Sequence, residues 1–413
     1  MQVTEFYKKI LGLEAPWEIE KVSITNKGKK ISIELIHPEK SQFDCKHCGT
    51  QCSVYDHNDQ RVWRHLDTCD YYTYLIASLP RVNCKDCGIH TIAPSWSRPN
   101  SKFTLDFESH AIDVLHQTQV LSRSAVQLRI SVDQLKYLQQ QAVQRGLNRR
   151  KGNSSYVVTH ICIDEKSLHK GHHYVSVLYD GTTGAVLEVV EHRTEVAAKE
   201  GFITVGKYVD LEKVQVVSLD MWAAFKNAAK TVVNNADLVH DRFHVSQYLN
   251  KAVDITRRAE NKRLIKQDQK DESLKGTRYL WLKNPANWKE SQHLLYQELA
   301  KNKELKTIQV WQLKEDFKNF FAATDETQAT NFFNDWVQSV EQLDNKPLLS
   351  VAKTFKNHWK GLITYYKHRV SNAMAECINS GIQQIKMKAR GFKSAKAFRC
   401  AILFHYGQLD LYP

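Results

Sequence analysis

Two Cys-x-x-Cys pairs near the start of the chain constrain its fold more than any other feature. They are Cys45–Cys48 and Cys84–Cys87, and a glycine follows each pair directly. A turn of this kind presents two thiolates to one metal ion, and four thiolates complete the tetrahedral shell that Zn²⁺ prefers. Because four protein ligands leave no open position for chemistry, we expect a structural zinc.

The segment between the two pairs is longer than in a compact zinc module. Two candidate strands, at residues 62–66 and 71–79, predict a β-hairpin that brings the pairs together. Three other side chains remain alternative ligands: Cys52, Cys69 and His90. Four thiols without a metal are the other interpretation, although clustered cysteines in a chain without a secretion signal more often bind metal than form disulfides.

The chain is basic, and this favours a polyanionic partner. Lys and Arg number 58 against 45 Asp and Glu, so the net charge is +13 over 413 residues. Nucleic acid is the commonest partner of such a chain, with a merely basic protein as the alternative. The first 17 residues lack the apolar core of a signal peptide, and no run reaches the roughly 18 apolar residues of a membrane span. We therefore expect a cytoplasmic protein without a membrane partner.

A helical pattern occupies residues 102–150. Within it, the pattern of residues 122–136 is typical of a helix-turn-helix, in which one helix ends near Arg129 and Ser131 caps the next. Polar side chains of this segment can read base edges or contact phosphates. The candidates are Arg123, Arg129, Gln134 and Lys136. A helical linker with a solvated face is the alternative.

Acidic side chains occupy positions where a carboxylate is costly unless it is paired or binds a cation. Asp164 ends an alternating strand, Asp220 ends a compact strand at residues 214–219, and Glu376 lies on the last long helix. Three such carboxylates can hold two Mg²⁺ ions about 4 Å apart, and Mn²⁺ can replace Mg²⁺. Asp241, after a further short strand, is the alternative carboxylate or a helix cap. Spacing alone also permits turn residues or salt-bridge partners.

Other residues are candidates for assisting roles. Glu165 could support the acids, and His244 could contact DNA or a metal-bound water, or simply pack or cap its helix. A basic run near the end of the chain predicts contacts with phosphates, with a solvated helix end as the alternative. Its members are Lys386, Lys388, Arg390 and Lys393. The tryptophans between residues 257 and 366 are expected in a core rather than as wedges between bases.

Motifs in the same order along nearly the whole chain resemble those of insertion-sequence transposases of the ISL-three family. Besides the cysteine pairs and the helical segment, they are Ile163-Asp164-Glu165, Gly171-His172-His173-Tyr174, Leu219-Asp220-Met221-Trp222, Asp241-Arg242-Phe243-His244-Val245, and Ser371-Asn372 with Glu376. The resemblance implies an RNase H-like catalytic domain with a helical insertion. It also implies that Asp164, Asp220 and Glu376 hold the metal ions. The extra Cys52 and Cys69 depart from the family pattern and leave the zinc ligand set open.

Together these features predict a multidomain α+β protein. It comprises a zinc-binding β module, a helical helix-turn-helix module, and an RNase H-like α/β catalytic domain that an all-α insertion divides. The predicted boundaries are 1–95 and 102–150 for the first two modules, 155–256 and 366–413 for the two parts of the catalytic domain, and 257–365 for the insertion.

The expected function is that of a DNA transposase. The enzyme would bind terminal inverted repeats, cut the DNA with two metal ions, and join the freed 3′-OH to target DNA. Because two DNA ends must be handled together, we expect at least a homodimer on DNA, in the bacterial cytoplasm and associated with the nucleoid. The alternatives are a catalytically silent, zinc-containing DNA-binding regulator and a general RNase H-like nuclease.

Overall fold

The computed structural model describes residues 2–169, 171, 173–267, 271–370 and 373–413, without the side chains of Gln267, Ala373, Ala375 and Glu376. Its contacts divide the chain into two compact units. Unit 1 comprises Met1–Arg150, Met387–Arg390 and Leu409–Pro413, and unit 2 comprises Lys151–Lys386 and Gly391–Gln408. No helix in the described residues combines the length and the apolar character that crossing a membrane requires.

Unit 1 contains a twisted sheet built around the predicted hairpin. Its elements are α1 (Val3–Ile10), β1 (Glu18–Thr25), β2 (Lys30–Ile36), β3 (Gln42–Asp44), β4 (Gln51–Arg64), β5 (Tyr72–Cys84) and β6 (Gly88–Thr91). The strand order is β1-β2-β5-β4-β3, with β6 also paired to β5. Strands β2 and β5 are parallel, whereas β4 and β5 form the antiparallel hairpin that the sequence predicts. Alternate residues of β5 are buried around Trp63, which gives the sheet one apolar face.

Three helices complete most of unit 1: α2 (Leu105–Thr118), α3 (Leu121–Leu128) and α4 (Val132–Gly152). Helix α3 ends where Arg129 adopts a left-handed conformation with φ of 57°. The amide of Gln134 donates to the Ser131 hydroxyl at 3.1 Å, and the amide of Ser131 donates to the Gln134 side chain at 2.9 Å. This reciprocal cap confirms the predicted role of Ser131 at the start of α4.

A buried carboxylate joins the elements of unit 1. Glu108 is 1% exposed and accepts hydrogen bonds from the Arg98 guanidinium at 2.7 and 2.9 Å. Arg145 lies 3.5 Å from the same carboxylate and also donates to the Leu411 carbonyl at 3.0 Å. The last residues of the chain, Leu409–Pro413, therefore belong to the packing of unit 1.

The second sheet lies in unit 2. Its strands are β7 (His160–Ser167), β8 (Tyr174–Asp180), β9 (Val186–Glu191), β10 (Val216–Leu219) and β11 (Asp237–His240), and the order is β11-β10-β7-β8-β9. Strands β7, β10 and β11 are parallel, and β7, β8 and β9 are successively antiparallel. Helices α5 (Glu195–Val205) and α6 (Ala223–Val232) contribute Phe202 and Phe225 to a core with Ile161 and Val217.

A long helix leads from this sheet into a helical region. Helix α7 (Arg242–Gln267) contains residue 257, so the predicted start of the insertion falls inside one continuous helix. The helices that follow are α8 (Arg278–Leu282), α9 (Glu290–Ala300), α10 (Lys306–Asp316), α11 (Lys318–Ala322), α12 (Glu326–Leu343), α13 (Lys346–Asn357), α14 (Trp359–Ile363) and α15 (Tyr365–His368). Trp281, Trp311 and Trp336 are buried in their shared core, which confirms the packing role expected of the tryptophans.

Helices α16 (Ala373–Lys388) and α17 (Ala395–Tyr406) close unit 2. A Cβ atom at Gly381 of α16 would lie 2.2 Å from the Tyr406 hydroxyl, so the absence of a side chain there lets the two helices approach closely. Arg399 of α17 donates to the buried Glu188 of β9 at 2.7 Å. This ion pair fixes α17 against the edge strand of the sheet.

Candidate metal centres

The two cysteine pairs converge into one group. The Sγ atoms of Cys45, Cys48, Cys84 and Cys87 all lie within 4.8 Å of one another. Cys45 follows β3 directly and Cys84 ends β5, so the sheet positions both pairs. Hydrogen bonds from Thr50 lower the pKa of Cys48 to about 6, whereas hydrogen bonding to Cys48 raises the pKa of Cys87 to about 12. A bound zinc ion would hold all four sulfur atoms as thiolates. Four sulfur atoms this close together could complete the tetrahedral shell of one zinc ion.

The three alternative zinc ligands lie outside this group of four. Cys52 is buried nearby, but its thiol donates to the Thr50 carbonyl at 3.3 Å. Cys69 is exposed in a turn, and His90 Nδ1 lies 3.1 Å from the Gly88 carbonyl oxygen. None of the three is needed to complete the four sulfur ligands.

The second candidate centre arises from strand register in unit 2. Across the parallel strands β11, β10 and β7, His240 is aligned with Leu219, and Leu219 with Ile163. The next residue along each strand direction is an aspartate: Asp241, Asp220 and Asp164, respectively. Neighbouring parallel strands therefore bring three acidic residues to the same level of the sheet, two of them just beyond the end of their strands.

His244, on the first turn of α7, lies between these aspartates. Its Nε2 atom is 3.7 Å from Asp164 Oδ1 and 3.9 Å from Asp241 Oδ2, and its Nδ1 atom is 3.7 Å from Asp220 Oδ1. Burial alone would lower the pKa of His244, but hydrogen bonding to Asp164 and the charges of the aspartates raise it. The imidazole thus compensates part of a concentrated negative charge.

Two residues that the sequence reasoning missed also contact Asp164. Lys166 Nζ lies 3.1 Å from Asp164 Oδ2, and the Asn379 side-chain amide donates to the same oxygen at 2.6 Å. Burial alone would raise the pKa of Asp164, yet His244 and Lys166 hold it well below its usual value. Strand alternation would have indicated Lys166, because residues two apart share a face.

The remaining predicted site residues of unit 2 have distinct positions. Glu376 belongs to α16, and its side chain lies outside the described part of the chain. Glu165 accepts from the Arg193 guanidinium at 3.0 Å, and that guanidinium also stacks on the Tyr174 ring at 4.4 Å. Glu165, which follows Asp164 on β7, therefore forms an ion pair with Arg193.

The predicted DNA-contacting residues of the helical segment fall into two groups. Arg123, Gln134 and Lys136 are exposed on α3 and α4. Arg129 instead pairs with Asp67 at 2.9 Å, and its guanidinium lies 3.7 Å from the centre of the Tyr72 ring. A DNA contact by Arg129 would compete with this arrangement, which joins the end of α3 to the sheet of unit 1.

The basic run near residue 390 is partly engaged in hydrogen bonds. Lys386 donates to the Ser167 carbonyl at 2.6 Å, and Lys388 donates to the Gln119 side chain at 2.7 Å. Arg390 and Lys393 are exposed. Lys388 is also exposed, so Lys386 is the least accessible member of this predicted phosphate-contacting run.

The cysteine group and the converging aspartates agree with the class of protein that the motifs resemble, the insertion-sequence transposases. Comparison with family models identifies the family. A model of the ISL3 transposases matches residues 161–402, and a model described as the zinc-finger of transposase IS204/IS1001/IS1096/IS1165 matches residues 41–87. The first match covers more than half of the chain. The chain belongs to the ISL3 family of insertion-sequence transposases, and the four clustered cysteines lie within the segment that matches the zinc-finger model.

Curated relatives match along nearly their whole length. The transposase for insertion sequence element IS1001 of Bordetella parapertussis is 24% identical, over 90% of this chain and 90% of its own. The transposase for IS1557 of Mycobacterium tuberculosis is 22% identical, over 96% and 94%. A solved Drosophila P element transposase strand transfer complex is similar with a TM-score of 0.40 and 9% identity, covering 76% of this chain and 94% of that one.

Proposed function

We propose that this transposase cuts DNA at the terminal inverted repeats of its element and joins the freed 3′-OH to target DNA. We propose that Asp164, Asp220 and Glu376 hold two Mg²⁺ ions for both steps, with Asp241 as the alternative carboxylate. Bound there, the ions would activate the attacking oxygen and stabilise the leaving oxygen of the phosphodiester. The single observation that carries this proposal is the convergence on His244 of three aspartates from adjacent strands and strand ends.

The donor set fits Mg²⁺. Carboxylate oxygens are the hard ligands that this ion prefers, and three aspartates approach one imidazole within 3.9 Å. Concentrated acidic groups of this kind repel one another unless cations compensate them. His244 and Lys166 supply part of that compensation.

The position of Glu376 in the helix supports its inclusion. Asn379, which contacts Asp164, follows position 376 by three residues in α16, and residues three apart share a helix face. In this arrangement Asn379 orients one oxygen of Asp164. His244 can hold a proton between the carboxylates, and Lys166 limits the rotation of the Asp164 carboxylate.

We propose that the second sheet and its flanking helices form an RNase H-like domain and that the α3–α4 pair is a helix-turn-helix. The strand order β11-β10-β7-β8-β9, with acids at three adjacent strands, supports the first assignment. The short turn, the reciprocal cap at Ser131 and the exposed side chains of Arg123, Gln134 and Lys136 support the second. At least two copies would act together on DNA, because two ends must be joined.

The test is cleavage and strand transfer with duplexes that carry the inverted repeats flanking the gene. We expect Mg²⁺-dependent nicking at the repeat end. Asp164→Asn, Asp220→Asn and Glu376→Gln should each abolish nicking and strand transfer while duplex binding persists. Glu212→Gln, which changes an exposed carboxylate of unit 2, is the matched control and should keep full activity.

Four outcomes would change the proposal. Activity in any of the three catalytic variants would remove that residue from the site, and loss of activity in Asp241→Asn would bring Asp241 into it. Cutting that ignores the repeat sequence would indicate a general nuclease. Repeat binding without cleavage in any divalent metal would indicate a DNA-binding regulator.

A further inference from the structure

A basic cavity lies beside the aspartate cluster in unit 2. It has a volume of about 280 Å³ and is formed by α6, the end of β11, and the α13–α14 junction. Its titratable lining residues are Lys226, Lys230, Lys360, Asp237 and two histidines, His240 and His358, whose pKa values burial lowers. Lys226 is half-buried, whereas Lys230 and Lys360 are exposed at the rim. The cavity is much larger than the roughly 30 Å³ that one water molecule occupies, so it can admit a larger group.

The three lysines of this cavity have no carboxylate partner among the residues that the structure describes. In the described parts of the chain, no carboxylate oxygen lies within 4.0 Å of the amino groups of Lys226, Lys230 and Lys360. The acidic residue of the lining, Asp237, is already engaged by Lys367 at 2.6 Å and by His368 at 2.8 Å. The opening of the cavity therefore carries an excess of positive charge, which favours an anion.

Packing fixes the wall of the cavity. His240 is 4% exposed, and its Nε2 atom lies 3.2 Å from His358 Nδ1. A Cβ atom at Gly361 would lie 2.4 Å from the His240 ring, so the backbone of α14 packs directly on the imidazole. Such a wall keeps the shape of the cavity before a ligand arrives, and a preformed site lowers the entropic cost of binding.

The cavity is linked to the candidate catalytic centre by the strand itself. His240 ends β11, and the following residue, Asp241, contacts His244. Lys226 lies on α6, which begins three residues after Asp220. An anion held in the cavity is thus positioned by the two elements that position two of the three aspartates.

We propose that this cavity binds a backbone phosphate of the DNA strand that is held at the aspartate cluster. The inference rests on the proposed function, because that function supplies the strand. Lysine binds phosphate as a point charge, and three lysines around one opening favour a phosphate over a neutral group. The two rim lysines favour a phosphate of a polymer, because they extend the positive charge from the cavity onto the surface.

The test is the salt dependence of DNA binding. The full chain is titrated, without divalent metal, against a duplex carrying the flanking inverted repeat. Each phosphate contact contributes about 0.9 to the slope of log K against log salt concentration. We expect Lys226→Gln, Lys230→Gln and Lys360→Gln each to make the slope shallower by up to about 0.9. Lys226→Arg, which keeps the charge, should retain the wild-type slope.

Lys353→Gln is the matched control, because Lys353 is exposed on α13 and does not line the cavity. It should leave the affinity and the slope close to wild type. Duplexes in which single phosphates are replaced by neutral methylphosphonates locate the contact. One such position should weaken wild-type binding and have no further effect on the Lys226→Gln variant.

Two results would overturn the cavity proposal. One is an unchanged slope in all three glutamine variants. The other is tight binding of inorganic phosphate that leaves duplex affinity unaltered, which would assign the cavity to a free anion. The binding readout is independent of cleavage. Failure of the wild-type enzyme to cut DNA would reject the proposed function and leave a slope change as support for the cavity.

Discussion

Replacement of Asn379 tests whether the contacts of Asp164 matter for catalysis. In Asn379→Ala, Asp164 Oδ2 loses a hydrogen bond of 2.6 Å from a neutral donor. A hydrogen bond to a charged group is worth about 1.5–3 kcal/mol. If this energy orients Asp164 during cleavage, then at about 1.4 kcal/mol per factor of ten the rate should fall roughly 10- to 150-fold.

Single-turnover nicking of a repeat-end duplex, measured over a range of Mg²⁺ concentrations, is the appropriate assay. A loosely held carboxylate should also raise the Mg²⁺ concentration needed for half-maximal rate, which a general loss of folded protein would not do. Gln383→Ala, at an exposed position of the same helix, is the control. A rate within twofold of wild type at limiting Mg²⁺ would refute the assigned role of Asn379.

Three further predictions concern stability. Cys84→Ser should lose bound zinc and melt at a lower temperature, whereas Cys69→Ser should do neither; equal zinc content in the two variants would contradict the ligand assignment. Glu108→Ala leaves Arg98 and Arg145 without their buried partner and should cost about 3–5 kcal/mol in urea unfolding, so an unchanged midpoint would count against the ion pair. Trp281→Ala removes a fully buried side chain and should cost about 3–5 kcal/mol. Wild-type stability with weakened DNA binding would instead favour a base-stacking role for Trp281.

The acidic residues could be predicted because the signal is local. An apolar strand that runs into an aspartate is visible within about six residues, and this signal indicates Asp164, Asp220 and Asp241. The prediction that Asp164 ends its strand is wrong, because pairing with β8 continues β7 to Ser167. Their common level could not be predicted, because it depends on how β7, β10 and β11 pair. Sequence patterns define strands but leave the register between distant strands undetermined.

The hairpin of unit 1 shows that the ends of a strand can also depend on residues far away in the sequence. Its first strand was predicted at residues 62–66, but β4 begins at Gln51. The intervening Asp56, Asn58 and Asp59 have the composition of a turn. Pairing of Asp56 with Arg81 on β5 extends the strand past these residues, and Asn58 and Asp59 lie at an irregularity in the pairing. A long-range partner thus overrides the local preference of these residues.

Arg129 illustrates why exposed cations cannot be assigned from composition. The sequence places it at a helix end beside other polar residues, where a DNA contact is a reasonable prediction. Its partners Asp67, Asp70 and Tyr72 lie about 60 positions earlier in the chain. Only folding brings these residues together with Arg129. They bind the guanidinium that the sequence predicts to contact DNA.

The cations of unit 2 divide by what they contact, and the division suggests separate tasks. Lys166 and His244 lie against the aspartates, so their positive charge compensates the negative charge of the carboxylates. Lys226 and Lys360 approach no carboxylate within the described residues, so their charge remains available to an external anion. Loss of a compensating cation should therefore change the metal dependence of cleavage, whereas loss of a cavity lysine should change the salt dependence of binding. A variant of either kind that changed both properties equally would show that the two sets of cations act as one.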